Sequence, residues 1–128
     1  MRGLLDTSVF IASEQGRALA GERLPDELAV SVVTVAELTL GVHMASTDRV
    51  RGQRLATLRA LQSTYAVLPI DDEVAAAFGQ LVASARRAGR RPKVQDSWIA
   101  ATAYAHRAAV CTQDGDFDEI PDVDVIRV

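Results

Sequence analysis

Short apolar runs alternate along the chain with longer segments of mixed polarity. The runs predict β-strands at residues 3–5, 28–33, 65–70, 109–112 and 123–128. The segments between them predict helices at residues 7–14, 34–45, 48–64, 71–88 and 95–107, with a shorter helical piece at 16–24. Because strands and helices alternate, the pattern predicts an α/β fold. We expect a central, mainly parallel sheet of about five strands flanked by helices.

Several segments carry finer signals of burial and of helix ends. Residues 28–33, LAVSVV, are apolar almost throughout, which is typical of a strand buried on both faces. Three acids at 71–73 suit the first turn of a helix, and Gly89 is predicted to end that helix. The helix at 48–64 is amphipathic: Val50, Leu55, Leu58 and Leu61 are predicted inside, and Arg49, Arg51, Arg54 and Arg59 mostly outside.

Composition narrows the class of protein. With 128 residues we expect one domain over 1–128, and the formal net charge of −3 does not suggest nucleic-acid binding. Cys111 is the only cysteine, which excludes an intrachain disulfide framework and a multi-cysteine metal site. Asp6 interrupts the apolar run near the N-terminus, so we see no signal peptide. No run has the length of a membrane span, and we expect a cytoplasmic chain.

Acidic residues follow the predicted strands. Asp6 comes after the first strand, Glu37 falls in the first turn of the helix after the second, and Asp114 and Asp116 follow the fourth. Asp96 opens a helix that is otherwise almost entirely apolar. Open α/β sheets bind ligands at the carboxyl ends of their strands. The order therefore allows four or five carboxylates to meet at one edge.

Each acid also has a purely structural explanation. Asp6 and Asp96 suit helix starts, and the Thr34-x-x-Glu37 spacing matches a capping box. Asp114 followed by glycine is an ordinary turn signal. Taken together the acids favour a site, because Glu37 and Asp96 lie in helices with little polar surface on which a charge could be solvated.

A carboxylate cluster without cysteine or histidine suits a hard cation, Mg²⁺ or Mn²⁺. Such ions neutralise phosphate charge and orient a water for in-line displacement. Before a cation binds, the carboxylates repel one another, so we expect raised pKa values for some of them.

Four motifs in this order resemble the PIN-domain ribonucleases, and more narrowly the VapC toxins of bacterial VapBC toxin–antitoxin systems. The motifs are LLDTSV at 4–9, TVAEL at 34–38, DSWIAATA at 96–103 and TQDGDF at 112–117. The likeness covers essentially the whole chain and implies a PIN-like α/β/α fold. It also implies a Mg²⁺-dependent endoribonuclease, with Mn²⁺ as a substitute, that acts on tRNA, rRNA or mRNA.

The same resemblance implies roles for individual residues. Asp6 and Asp96 would be the core metal ligands, Glu37 the third acid, and Asp114 the fourth with Asp116 assisting. Thr7, Ser8 and Thr112 match hydroxyl positions that hold the carboxylates or touch phosphate, although local capping explains them equally well.

The resemblance implies partners too. They are a cognate VapB antitoxin, which alone would contact DNA, and a second copy of the chain in a homodimer. The arginine-rich segment 49–59 and the apolar segment 38–40 are candidate dimer or antitoxin surfaces, although both also fit ordinary helices.

A basic run, residues 86–93, lies directly before Asp96. We hypothesise that Arg90, Arg91 and Lys93 contact RNA phosphates beside the metal site. The alternative is a solvated helix end with favourably placed charges.

Other functions remain open at this level. A haloacid-dehalogenase-like phosphatase would need a second Asp two residues after Asp6, where the chain has Ser8. A receiver-like phosphorylation switch would need an acid pair before the first helix and a Lys after the fourth strand, and neither is present. The acids alone do not separate RNA from DNA as substrate, nor a toxin from a PIN-like nuclease outside a toxin–antitoxin pair.

Overall fold

The computed structural model, which describes residues 1–128, has a central sheet of five parallel strands in the order β3-β2-β1-β4-β5. The strands are β1 (Arg2–Leu5), β2 (Glu27–Ser31), β3 (Ala66–Leu68), β4 (Ala109–Thr112) and β5 (Val125–Arg127). The predicted α/β fold with a parallel sheet is confirmed.

Five helices flank the sheet. They are α1 (Thr7–Glu14), α2 (Val32–His43), α3 (Asp48–Thr64), α4 (Asp72–Arg87) and α5 (Val94–Ala105). None of them combines the length and the apolar character that crossing a membrane requires.

The alternation of side chains along the central strands divides the core into two layers. Leu4 of β1 and Val110 of β4 face the side covered by α4 and α5. The next residue of each strand, Leu5 and Cys111, faces the other side, where Val9 of α1 and Leu61 of α3 pack. Successive side chains of a strand point to opposite faces, so the two short apolar strands supply both cores of an α/β/α sandwich.

Local capping explains where the long helices begin and end. The Thr47 hydroxyl accepts a hydrogen bond from the Val50 N–H and starts α3, and the Asp71 carboxylate accepts from the Val74 N–H and starts α4. Gly89 adopts a φ of +75° just after α4, a conformation that glycine takes without strain. The predicted bounds of α3 and α4, including the stop at Gly89, are thereby confirmed.

The boundary between β2 and α2 differs from the prediction. The strand ends at Ser31 and the helix begins at Val32, two residues before the predicted start at Thr34. The Ser31 hydroxyl accepts from the Val33 N–H, and this cap outweighs the strand preference of the two valines. As a result Glu37 lies in the second turn of α2 rather than the first, so both the predicted first-turn position and the capping-box explanation are wrong.

The outer strands are shorter than predicted. β3 keeps three residues of the six predicted, because Pro69 lacks the N–H that would continue the ladder. The helical piece predicted at 16–24 is only a single 3₁₀ turn at Gly21–Arg23. Of the segment 28–33 predicted to be buried on both faces, only Val30 and Ser31 are buried, Leu28 and Ala29 are half-buried, and Val32 is exposed at the start of α2.

Gly3 is required by close packing in the middle of the sheet. A Cβ at this position would lie 2.9 Å from Cys111 Sγ and 3.0 Å from Leu28 Cδ2. A larger residue would push β1 away from both neighbours, and the carboxyl end of β1 is where the first acid of the site lies.

Candidate metal centre

The five predicted acids line one cavity at the carboxyl edge of the sheet. The chain order reverses between β1 and β4, so the loops after these two strands diverge and leave a crevice. The crevice has a volume of about 280 Å³. Its lining residues are Asp6, Thr7, Ser8, Ile11, Glu37, Lys93, Gln95, Asp96, Ile99, Asp114 and Asp116.

Asp6 lies at the end of β1, and its side chain is the most deeply buried of the acids, with the residue only 3 % exposed. It occupies the N-cap position of α1, but its side chain makes no capping hydrogen bond. Instead Oδ1 accepts from the Ser8 hydroxyl at 2.6 Å, and Oδ2 accepts from the Thr112 hydroxyl at 3.0 Å. The capping explanation for Asp6 is therefore wrong, and the carboxylate is fixed between α1 and β4.

Burial of Asp6 has an electrostatic cost that the two hydroxyls only partly offset. Desolvation raises the pKa of this carboxyl from 3.8 to about 6, and the nearby Asp114 and Asp96 add to the rise. The hydrogen bonds from Ser8 and Thr112 act in the opposite direction. The site is thus built to hold negative charge that the protein itself does not neutralise.

Glu37 reaches the cavity from α2. Its Oε1 accepts from the Thr7 hydroxyl at 2.7 Å, and that hydroxyl also lies 3.2 Å from the hydroxyl of the fully buried Thr34. This contact joins the first turn of α1 to the second turn of α2. Thr34 thereby supports the acid through Thr7, a link that the sequence did not reveal.

Asp96 lies in the first turn of α5, as predicted. Its Oδ2 is buried and is the one buried side-chain oxygen or nitrogen in the structure that has no hydrogen-bond partner. Desolvation, followed by the charges of Asp116 and Asp114, raises the pKa of this carboxyl to about 6, although Lys93 lowers it. A buried acceptor without a donor is costly, so Asp96 is poised for a ligand that supplies positive charge.

Asp114 and Asp116 reach the cavity from the loop after β4. The exposed Asp114 lies with its Oδ1 3.4 Å from both the Thr112 hydroxyl and the Asp116 N–H. Asp116 Oδ2 instead forms an ion pair with Lys93 Nζ at 3.0 Å. Both acids face the cavity, so the choice of Asp114 as the fourth acid with Asp116 assisting stays a prediction.

The hydroxyls predicted near the site all contact acids. Thr7 donates to Glu37, while Ser8 and Thr112 donate to Asp6. Ser8 also accepts the N–H of Gln113 at 3.0 Å, which ties the start of α1 to the end of β4. Holding the carboxylates therefore describes these hydroxyls better than local capping does.

The basic run does not act as one uniform surface. Arg90 donates to the carbonyl oxygen of Asp118, and Lys93 turns into the acidic cavity. Arg86, Arg87 and Arg91 are exposed. Gln95 also lines the cavity and was not among the predicted site residues. Its position directly before Asp96, in the same helical turn, is the signal that could have identified it.

The donor set fits a hard divalent cation. Carboxylate oxygens are the ligands that Mg²⁺ and Mn²⁺ prefer, and the unpartnered Asp96 Oδ2 lies beside a second buried carboxylate with a raised pKa. No three acidic, histidine or cysteine side chains are close enough together to enclose an ion as they stand. Closure of a full shell therefore requires side-chain rotation among the acids, and Lys93 holds one of them, Asp116, at the rim.

A second cavity of about 320 Å³ adjoins the first one and shares Thr7, Ile11, Glu37 and Gln95 with it. It runs between α1, α2 and α3, and we call it the α1–α3 groove. Its remaining lining residues are Phe10, Glu14, Gln15, Leu38, Leu40, Gly41, Arg54 and Thr57.

Comparison with known proteins gives a consistent result. A family model described as PIN domain matches residues 3–123. The chain is 46 % identical over 129 residues to ribonuclease VapC5 of Mycobacterium tuberculosis, covering 98 % of this chain and 95 % of that protein. It is 45 % identical over 127 residues to ribonuclease VapC4 of the same organism, covering 99 % and 97 %.

A solved structure agrees with these relatives. The chain superposes with a TM-score of 0.91 on the crystal structure of VapBC-5 from Mycobacterium tuberculosis, a member of the VapBC family of toxin–antitoxin systems. The identity is 42 %, and the match covers 99 % of this chain and 98 % of that chain.

The raised pKa of Asp6 predicts how stability depends on pH when no divalent cation is present. The folded state binds this proton more tightly than the unfolded chain does, so deprotonation between about pH 4 and about pH 6 favours unfolding. For Asp6 alone the loss is roughly 3 kcal/mol. We expect Asp6→Asn, whose amide does not titrate, to gain stability relative to the parent across this window.

Urea denaturation in EDTA at a series of pH values measures the difference between the variant and the parent. Asp72→Asn, an exposed acid of α4, is the matched control and should not gain stability relative to the parent as the pH rises. A constant difference between Asp6→Asn and the parent would contradict the buried, destabilising charge.

Proposed function

The chain belongs to the PIN-domain family, among the VapC ribonuclease toxins of VapBC toxin–antitoxin systems, and from this membership we propose a mechanism for its acidic cavity. The proposed activity is endonucleolytic hydrolysis of RNA phosphodiester bonds with Mg²⁺, for which Mn²⁺ substitutes. The observation that carries this proposal is the unpartnered Asp96 oxygen beside the buried Asp6, two carboxylates that lack sufficient positive charge in the protein itself.

In this mechanism Asp6 and Asp96 are the core ligands. Ser8 and Thr112 fix both oxygens of Asp6, so this carboxylate presents one orientation to the cavity. When bound, the cation would supply a water nucleophile at neutral pH and neutralise charge on the phosphate. Glu37 is held by Thr7 as the third acid, and Asp114 completes the set with Asp116 assisting. A carboxylate of this set accepts the proton of the attacking water.

The substrate class follows from the family. VapC5 and VapC4 of Mycobacterium tuberculosis, which match nearly the whole chain, are named ribonucleases, and this favours RNA over DNA. Family membership also argues against the phosphatase and the phosphorylation switch. Both of these functions require a second acid near Asp6, and the sequence does not have one there. The homodimer and the cytoplasmic location stay predictions, and sedimentation velocity of the purified chain would decide the former.

Removal of either core carboxylate should abolish cleavage without unfolding the protein. We expect Asp6→Asn and Asp96→Asn to lower the cleavage rate by about a hundredfold or more, because losing a ligand costs at least as much as losing its supporting contacts. Incubation of each purified variant with total cellular RNA and Mg²⁺ or Mn²⁺ measures this effect, and circular dichroism checks the fold. Asp72→Asn should cleave like the parent.

Full activity in both variants would refute the assigned ligands. Loss of activity in Asp72→Asn as well would show that the assay reports a general effect of removing acids. Parallel assays with single-stranded DNA of the same sequence test the choice of substrate.

We also propose that the basic run grips RNA beside the cleavage site. Arg91 is exposed, Lys93 lines the cavity, and Arg90 is exposed although its guanidinium donates to a backbone carbonyl. The phosphates of a bound strand would bring charge that these three residues can meet. This local positive surface offers an explanation of how a chain with net charge −3 binds a polyanion.

Substitution of Arg90, Arg91 and Lys93 by Ala should weaken RNA binding and flatten its dependence on salt. The slope of log affinity against log salt should fall by about two to three, roughly one for each lost phosphate contact. Fluorescence anisotropy on an Asp6→Asn background, which leaves the RNA uncut, measures both quantities. Arg49→Ala with Arg59→Ala, on the exposed side of α3, is the control, and an unchanged slope in the triple variant would contradict the proposal.

The similarity to the VapBC structure supports an antitoxin as a partner of this chain. We propose that an apolar segment of a VapB-type antitoxin lies in the α1–α3 groove. The groove is continuous with the acidic cavity, so one partner chain can fill the groove and direct a basic side chain toward the acids. Leu40 is 62 % exposed at its rim, and Ile11, which lines the groove and the acidic cavity alike, is 38 % exposed, so the groove offers apolar surface to a partner.

Leu40→Glu should weaken antitoxin binding by about tenfold or more while the free enzyme still cleaves RNA, because the change places a charge in an apolar contact. Titration calorimetry with the antitoxin and the RNA assay measure the two effects. Ile70→Glu, which places the same charge on an exposed apolar residue outside the groove, should bind like the parent. Equal losses in both variants would contradict docking in the groove.

A further inference from the structure

Lys93 is the only cation among the residues that line the acidic cavity. It precedes α5 at the N-cap position, three residues before Asp96, and its Nζ lies 3.0 Å from Asp116 Oδ2. The arginines of the same basic run do not line this cavity. The chain therefore places one positive side chain of its own among the acids that are proposed to bind the metal.

We infer that Lys93 is a built-in counter-ion that competes with the divalent cation for the acids of the cavity. Without the cation it pairs with Asp116, and it must release that carboxylate before Asp116 can turn toward a bound ion. Lys93 thereby lowers the metal affinity of the site. This inference rests on the proposed metal centre and adds a residue that tunes it.

The division of the acids supports this role. Lys93 pairs with the more accessible Asp116, while the buried Oδ2 of Asp96 has no partner. Lys93 therefore neutralises the rim of the cavity and leaves its interior open to a ligand. The acids line one cavity without enclosing a single point, and this ion pair holds one of them, Asp116, at the rim.

The ion pair is weak enough to be exchanged. The side chain of Lys93 is 71 % exposed and that of Asp116 is 45 % exposed, so water competes with the contact on both sides. A divalent ion carries twice the charge of the ammonium and can contact several carboxylates at once, so it should displace Lys93. The flexible side chain of Lys93 can then swing into solvent.

Substitution of Lys93 should leave the fold intact. The side chain makes no capping hydrogen bond to α5, and because it is mostly exposed it contributes little to packing. A change in metal affinity can then be attributed to the lost charge near the acids.

Titration calorimetry with Mn²⁺ alone at pH 7.5 tests the inference. Lys93→Gln should bind Mn²⁺ about three- to tenfold more tightly than the parent, as expected for removing one positive charge several ångströms from a divalent ion in partly screened surroundings. Lys93→Arg keeps the charge and should bind like the parent. Arg91→Gln removes a charge of the same loop that does not line the cavity, and it should also bind like the parent.

Equal or weaker Mn²⁺ binding by Lys93→Gln would overturn the inference. Tighter binding by Lys93→Arg to the same extent would overturn it as well, because side-chain shape rather than charge would then set the affinity. Asp6→Asn separates failure of the metal centre from failure of the counter-ion. If the parent binds Mn²⁺ no better than Asp6→Asn, the proposed metal centre is refuted, and the counter-ion role of Lys93 is refuted with it.

Discussion

The burial of the Asp6 carboxylate at the end of a central strand is the constraint on which the rest of the site depends. A buried charge needs donors, and the chain supplies them from two directions, Ser8 on α1 and Thr112 on β4. These bonds link α1 to β4, the strand that pairs with β1 at the point where the chain order reverses. Even with these two hydrogen bonds, the pKa of the Asp6 carboxyl is raised to about 6. A positive charge in the cavity would therefore stabilise the ionised carboxylate further.

The other acids are positioned by rigid elements that are apolar elsewhere. Asp96 lies on a helix whose Ile99, Ala100 and Ala103 are fully or almost fully buried in the core. The ring of Trp98 stacks on Phe78 of α4 with 3.9 Å between centroids, which fixes the orientation of this helix. The packing that makes α5 a core helix therefore also holds the Asp96 carboxylate, with its unpartnered oxygen, at the edge of the cavity.

Much of this arrangement could be predicted from the sequence, for identifiable reasons. The short apolar strands and the long periodic helices define the α/β fold, and the placement of acids after strands locates them at one edge. The start of α2 was mispredicted because a single serine cap outweighed two β-branched residues, a balance that side-chain periodicity does not report. Two sets of contacts join residues that are distant in sequence, so no local pattern encodes them. They are the Thr34–Thr7–Glu37 chain and the pairing of Lys93 with Asp116.

Asp6 and Asp96 are proposed to bind a divalent cation together. Anomalous difference density from a crystal of the protein grown with Mn²⁺ tests this proposal most directly, because the peak marks the metal independently of activity. We expect a peak in contact with both carboxylates, at the carboxyl edge between β1 and β4. A Mn²⁺ peak at full occupancy that contacts neither Asp6 nor Asp96 would contradict this proposal.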